Sequence, residues 1–475
     1  MTSSTNTNPS WTIENFLEVN DNGLRIDGVS AIELTENYET PLFVFSEARI
    51  RHNIERLKRA ETAMNQSLKV CYAAKANSNM AILRAVKDAG SDLEVNSGGE
   101  LYKALKVGFR PDQIIFNGVS KSEKELTEAI NAGIYAIQCD SVFELDLIAS
   151  VAEKLEKRAN VSLRLVPDIE TNTLHGLQTA KQTSKFGITA QEIPACFAKY
   201  GLSEFVNLCG MHIHLGSQTP DSAPFGLAFE TLFEFLKKIH EDFNVKLSHI
   251  NIGGGFPVNY LRDESNSLTM NAAQRELFKA DLEPSEILGA EFSRMKEAAK
   301  SANAEHLLRD LTILIEPGRS IIADAGIILT KVCNSKTRQI KDSANETDEW
   351  LLTDAGYNIM LSIETYKWYY HLISASRAGE QSETPYKVAG PLCDGGDVYF
   401  DIEGANRLPD YRLLPANVKP NEILALLNVG AYSMAQMFPY NARPLPAAVL
   451  IRENGEVELI RKRDEYATLI ESDIW

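Results

Sequence analysis

Val70-Cys71-Tyr72-Ala73-Ala74-Lys75-Ala76-Asn77 is an apolar, β-prone run that ends in a lysine flanked by alanines and a polar turn. A lysine at the C-terminal end of a buried strand is partly stripped of water, which lowers its pKa and frees the amine to form an imine with an aldehyde. A lone lysine there is more commonly a side chain snorkelling out of a strand end, so the flanking pattern has to decide. From about Pro41 to Gly318, short β-branched runs alternate with longer amphipathic stretches, the mark of repeated βα units. The spacing predicts strands over 69–74, 92–95, 113–117, 135–139, 161–165, 210–214, 249–252 and 312–315. Such units predict an α/β fold with a TIM-type (β/α)8 barrel, in which chemistry gathers at the C-terminal strand ends. Lys75 follows the first strand, Glu94 lies in the second, Arg164 in the fifth, and His214 ends the sixth. Gly253-Gly254-Gly255 follows the seventh, and Glu316 with Arg319 follows the eighth. A doubly wound open sheet would instead concentrate ligand contacts at one switch point.

Beyond Gly318 the texture changes to strand-like runs over 321–333, 350–353, 386–389 and 423–427, with one helical patch over 362–374. Runs over 24–26 and 42–45 add strands to the same β-rich part. The expected organisation is a barrel over 46–318, and a β-rich domain from 1–45 with 319–475 that completes the active site. The polar segments 261–275 and 334–349 read as surface loops.

Composition narrows the function classes. A formal net charge of −17 argues against nucleic acid or an anionic membrane as partner, because both are polyanions. The six cysteines form no CxxC pair and no short-loop framework, which reads as reduced thiols in the cytoplasm, with neither disulfides nor a zinc site. Met1–Ser10 is polar with no basic and apolar signal regions, and no apolar run is long enough to span a bilayer.

The strand ends carry a recognisable set of groups. Three glycines after a strand let backbone N–H groups approach a phosphate, and Arg319 offers a planar fork for the same charge. Glu316 is placed to keep a pyridine nitrogen protonated, and His214 to stack on a ring. A lysine amine, a phosphate cradle and a carboxylate are what pyridoxal phosphate requires. His212 and His214 face the same side if the strand alternates through both. A metal at this HxH pair lacks a third ligand in the sequence, so no metal is expected.

With these residues in view, the chain resembles the alanine-racemase-barrel family of pyridoxal-phosphate-dependent decarboxylases, which includes diaminopimelate and eukaryotic-type ornithine decarboxylases. The motifs that carry the resemblance are YAAKAN around Lys75, HIHLGSQ from His212, NIGGGFP from Asn251, EPGR from Glu316, GPLCDGGD from Gly390, and NVGAY followed by YNARPLP. The resemblance implies that Lys75 carries the cofactor, His214 stacks on its ring and Glu316 pairs with the ring nitrogen. Ser217, Gly254, Gly255, Arg319 and Tyr432 would hold the phosphate, while Glu94 and Arg164 line the cofactor site. Cys393 and Asp394 resemble the pair that this family donates from the other subunit, the thiol as proton donor and the carboxylate as grip on a distal amine. A homodimer with shared sites follows, and an intersubunit salt bridge from Lys185 to Asp397 is expected.

Substrate choice is where the sequence departs from the family. Diaminopimelate decarboxylases usually carry Arg-Pro ahead of a tyrosine after Asp-Ala-Gly, and the arginine binds the second carboxylate. Here Ser362 and Ile363 stand in that place, ahead of Tyr366. Loss of that partner favours a basic diamino acid, ornithine or lysine of either hand, as in a bacterial branch acting on the D-enantiomers. The alternatives are meso-diaminopimelate, with Arg377 or Arg443 replacing the arginine in space, and a conjugated amino acid of siderophore-type biosynthesis. A racemase on the same barrel is disfavoured by Cys393-Asp394.

Overall fold

The structure is a computed structural model that describes residues 9–474 apart from Gln182 and residues 341–345. The chain divides into two compact units: Arg51–Val258 with Ala280–Ile321, and a second built from the residues up to Ile50, Asn259–Lys279 and those from Ile322 onward. Asn259–Lys279 therefore groups with the β-rich unit, although it lies inside the stretch 46–318 expected to form the barrel. The reason is local packing: Arg262 donates to the Asn428 side-chain oxygen, and Tyr260 and Phe278 pack edge-on against Trp368.

In the first unit eight parallel strands close on themselves: Leu68–Ala73, Asp92–Val95, Ile114–Phe116, Ala136–Cys139, Ala159–Val166, Val206–His212, His249–Asn251 and Thr312–Ile315. This is the (β/α)8 barrel. Closure needs every strand to be covered by a helix, and the sequence starts those helices clearly. Ser97, Ser122 and Ser141 each accept the N–H of a glutamate three residues on, at Glu100, Glu125 and Glu144, so the helices after the second, third and fourth strands begin on serine caps. The cap at Ser122 is reciprocal, because Glu125 returns to the Ser122 N–H. The sixth strand begins four residues earlier than expected and ends at His212, with a register shift between Leu208 and Gly210. Gly210 is required there: a Cβ would lie 2.1 Å from Nε2 of His249 on the neighbouring strand.

The β-rich unit carries a nine-stranded sheet with the path Arg412–Leu414, Thr384–Ala389, Thr347–Thr353, Gly326–Gln339, Leu42–Ser46, Ala447–Ile451 and Val457–Arg461. Ile423–Leu426 pairs with both Gly326–Gln339 and Leu372–Ser374. Its core gathers Leu42, Val44, Ile327, Leu329, Ile373, Ala425 and Val449. Two local expectations change. The patch at 362–374 is one helical turn, Ser362–Thr365, followed by the strand Leu372–Ser374. The described part of 334–349 is largely strand, with Asn334 to Gln339 laddered against Leu352 to Thr347. No described helix is long and apolar enough to cross a membrane.

Candidate active site

At the C-terminal end of the barrel the first strand runs into a single 3₁₀ turn, Ala74–Ala76, that presents Lys75 to solvent. Lys75 is exposed between the buried Ala74 and Ala76, where the sequence reading expects a lysine partly stripped of water. On the neighbouring strand of the closed barrel, Glu316 follows Thr312–Ile315 and is buried. Its Oε1 accepts two carboxamides, Asn117 Nδ2 at 2.8 Å and Asn251 Nδ2 at 2.7 Å. Its Oε2 faces His212 Nε2 at 3.5 Å and His214 Nδ1 at 3.6 Å. The histidines meet at one oxygen although the strand ends at His212, so alternation along one strand is not what brings them together.

These contacts sort the protons. Burial alone would push Glu316 up, but His212 and then His214 outweigh it and hold the carboxyl well below the usual range. The two amide donors act in the same direction. Glu94, buried on the second strand, accepts the same Asn117 amide at 2.9 Å on Oε1 and has no partner for Oε2 among the described residues. Burial, only partly offset by Lys75, pushes Glu94 up to about 7. One carboxyl of the pair is therefore ionised and the other holds a proton near neutrality. Burial also lowers His214 to about 4, leaving a neutral ring whose Nδ1 accepts the Gly254 N–H at 3.3 Å. Burial lowers His212 too, and neither of its nitrogens has a hydrogen-bond partner among the described residues. Arg164 lies buried with its guanidinium 4.2 Å over the Phe186 ring and Nη1 3.5 Å from Asp140.

The glycine turn sits beside this cluster. Gly253 and Gly255 have φ of 69° and 98°, and a Cβ on Gly254 would lie 2.4 Å from the Glu316 carbonyl oxygen. Only glycine fits all three positions. Arg319 Nε donates to Ser217 Oγ at 3.1 Å, which joins two of the predicted phosphate ligands. Gln218 braces the turn by bonding both the N–H and the carbonyl of Val258. The barrel thus brings together Glu94, His214, Glu316 and Gly254, and joins Ser217 to Arg319. Asn117 and Asn251 have no assigned role in the sequence reading. Their position just after, or at the last residue of, a barrel strand is the signal that finds them.

These features fit pyridoxal phosphate: backbone and side-chain donors for a phosphate, a space no Cβ can fill, an ionised carboxylate for a ring nitrogen, and buried polar atoms without hydrogen-bond partners among the described residues. Residues 50–323 match the family "Pyridoxal-dependent decarboxylase, pyridoxal binding domain". The chain is a pyridoxal-dependent decarboxylase. Diaminopimelate decarboxylases of Methanocaldococcus jannaschii and Aquifex aeolicus are 34% and 32% identical to it, over 96% and 97% of both chains. The M. jannaschii enzyme, solved in co-complex with L-lysine, superposes with a TM-score of 0.82 at 32% identity, covering 97% of this chain and 98% of the other. The named relatives are thus diaminopimelate decarboxylases, where the sequence pointed to the D-ornithine and D-lysine branch. The decarboxylase uses pyridoxal 5'-phosphate and acts on an amino acid.

The β-rich unit of the decarboxylase holds the other predicted residues. Tyr432 is half-buried at φ 58°. Cys393 is exposed, with its N–H on Asn441 Oδ1 at 2.7 Å. Asp394 is exposed and accepts the Gly396 N–H at 2.8 Å and the Tyr357 hydroxyl at 2.9 Å, which hold its carboxyl below the usual range. Ser362 is buried and Tyr366 exposed. Arg377 is engaged with Glu422 and Glu380, both at 2.9 Å. Asp397 is buried and accepts backbone N–H groups of its own chain.

Proposed function

We propose that this decarboxylase removes the α-carboxyl group of a linear diamino acid, and that meso-diaminopimelate is its substrate. The observation that supports this substrate is full-length similarity to enzymes of that name at 32–34% identity. A basic diamino acid of the ornithine or lysine type is the second reading. It is favoured by Ser362 and Ile363 in place of Arg-Pro and by the engagement of Arg377 with two carboxylates.

Bound pyridoxal phosphate supplies a sink for the electron pair left when carbon dioxide departs. Lys75 provides the amine that anchors it, and Ser217, Gly254, Gly255, Arg319 and Tyr432 provide the phosphate donors. Glu316, ionised, holds a proton on the ring nitrogen. His214, neutral, offers a flat face to the ring. Glu94 and Arg164 line the ring pocket. Cys393 returns a proton to the substrate's α-carbon, and Asp394 grips the distal ammonium, with Tyr366 and Ser362 beside the substrate path. His212, His214 and Glu316 also have ligand atoms within 4.8 Å of one another, a third donor that the sequence did not reveal. Two amides already on Glu316 Oε1 suit a hydrogen-bonded carboxylate, and we assign the cluster to the cofactor ring. Cys393 and Asp394 act in the partner's site of a homodimer.

Carbon dioxide release from meso-diaminopimelate and from D- and L-ornithine and lysine tests the substrate. Preference for meso-diaminopimelate by more than about tenfold in kcat/KM supports the first reading. Preference for a basic diamino acid replaces it with the second. Lys75→Ala should lose both turnover and the visible absorbance of bound cofactor, and retention of both would overturn the site.

A further inference from the structure

Asp397 closes the Cys393-Asp394 motif, yet its carboxylate points away from solvent at 2% exposure. Its Oδ1 accepts the Tyr357 N–H at 2.9 Å, and its Oδ2 accepts the Leu392 N–H at 2.8 Å. The donors belong to separate segments, Asp354-Ala355-Gly356-Tyr357 and Gly390-Pro391-Leu392-Cys393. Both segments carry a glycine where the carboxylate enters. A Cβ on Gly390 would lie 2.3 Å from Oδ2, and one on Gly356 2.7 Å from it. The backbone of Asp397 holds the same loop, its N–H on the Asp394 carbonyl at 3.2 Å and its carbonyl accepting the Gly390 N–H at 2.9 Å. From the clamped segments, Tyr357 reaches Asp394 Oδ2 with its hydroxyl at 2.9 Å, and Leu392 precedes Cys393 directly.

We infer that Asp397 is a positioning residue for the reaction: by tying the Tyr357 and Leu392 segments to one carboxylate, it sets Cys393 and Asp394 in fixed relation to each other. The inference rests on the roles proposed above for those two residues. A carboxylate suits the task because it has acceptor sites only, so it takes both N–H groups without presenting a donor.

Asp397→Asn tests it. The amide nitrogen turns a donor toward one of the two N–H groups, which releases one segment while leaving the volume unchanged. In the holoenzyme we expect kcat to fall about 10- to 100-fold and KM for the diamino acid to rise, with cofactor absorbance and melting temperature close to wild type. Site-resolved mass spectrometry should show the alkylation rate of Cys393 by iodoacetamide changed by about threefold or more. Gly390→Ala, whose methyl expels the carboxylate, should reproduce the loss. The Asp397→Ala/Gly390→Ala pair should be no worse than either single change. Wild-type kcat, KM and alkylation rate in Asp397→Asn would overturn the inference. So would a variant that loses cofactor and melts far below wild type with additive effects in the pair, since Asp397 would then serve stability alone. Cys393→Ala and Asp394→Asn run in parallel: wild-type turnover by either brings down the roles assigned to them, whereas their impairment beside an unaffected Asp397→Asn brings down only the clamp.

Discussion

Asn117 shows how much one amide decides at the centre of the barrel. Its Nδ2 donates to Glu94 Oε1 and Glu316 Oε1, so one side chain spans two carboxyls of opposite protonation. Asn117→Leu should strip the Asn117 donor from Glu94 Oε1, leave Glu316 Oε1 with Asn251 alone, and cost about 1–3 kcal/mol of stability, checked by urea denaturation of the apo form. Its turnover should fall about tenfold or more through misplacement of Glu316. The pH dependence has a definite sign. The folded value of Glu94, about 7, lies above the ordinary 4.5, so the native state holds a proton that the unfolded chain has released. Its contribution to stability is complete below about pH 4.5 and is lost as pH rises through about 7. Glu94→Gln should flatten that fall, read as the difference between urea midpoints at pH 5 and pH 7.5. Lys75, His214 and Glu316 are legible in the sequence because their chemistry is distinctive and their places are strand ends. Asn117 is not, because its role depends on two carboxyls brought to it by other strands.

The strand Val206–His212 carries a comparable lesson for elements. Gly210, beside the register shift against the fifth strand, has no Cβ and so leaves room for the His249 ring of the seventh strand, and that ring lies 5.3 Å from Tyr135. Gly210→Ala should destabilise the barrel by about 1–3 kcal/mol through overpacking, measured by chemical denaturation, while the far-UV spectrum of the folded protein stays unchanged. Periodicity predicts the eight barrel strands well because each is a short apolar run bounded by turn residues. It fails over 362–374, where Leu372–Ser374 is drawn into pairing with Ile423–Leu426. It fails again over 334–339, whose polar residues read as a loop but ladder against Thr347–Thr353. Strand pairing is a non-local energy, so local composition underreports it.

At the scale of the whole molecule, the proposed dimer makes a counting prediction. If Lys75 and Cys393 of one site come from different chains, Lys75→Ala and Cys393→Ala proteins are each inactive. Mixing them equally with subunit exchange should then restore about a quarter of the native sites, because half the dimers are mixed and each carries one intact site. No restoration would place both residues of a site on one chain. The residue types of this protein point to the cofactor by themselves, through Lys75, the three glycines, Glu316 and Arg319 in that order, and the family match supports the same cofactor. They also determine the barrel, since alternating apolar runs and serine-capped helices leave few other ways to bury the strands. Only the tertiary structure decided which groups share a proton or a clamp. Asn117 joins Glu94 to Glu316, and Asp397 joins Tyr357 to Leu392, because desolvation and hydrogen bonding act between atoms that folding brings within 3 Å and that sequence separates by 23 to 199 residues, or by 5 to 40.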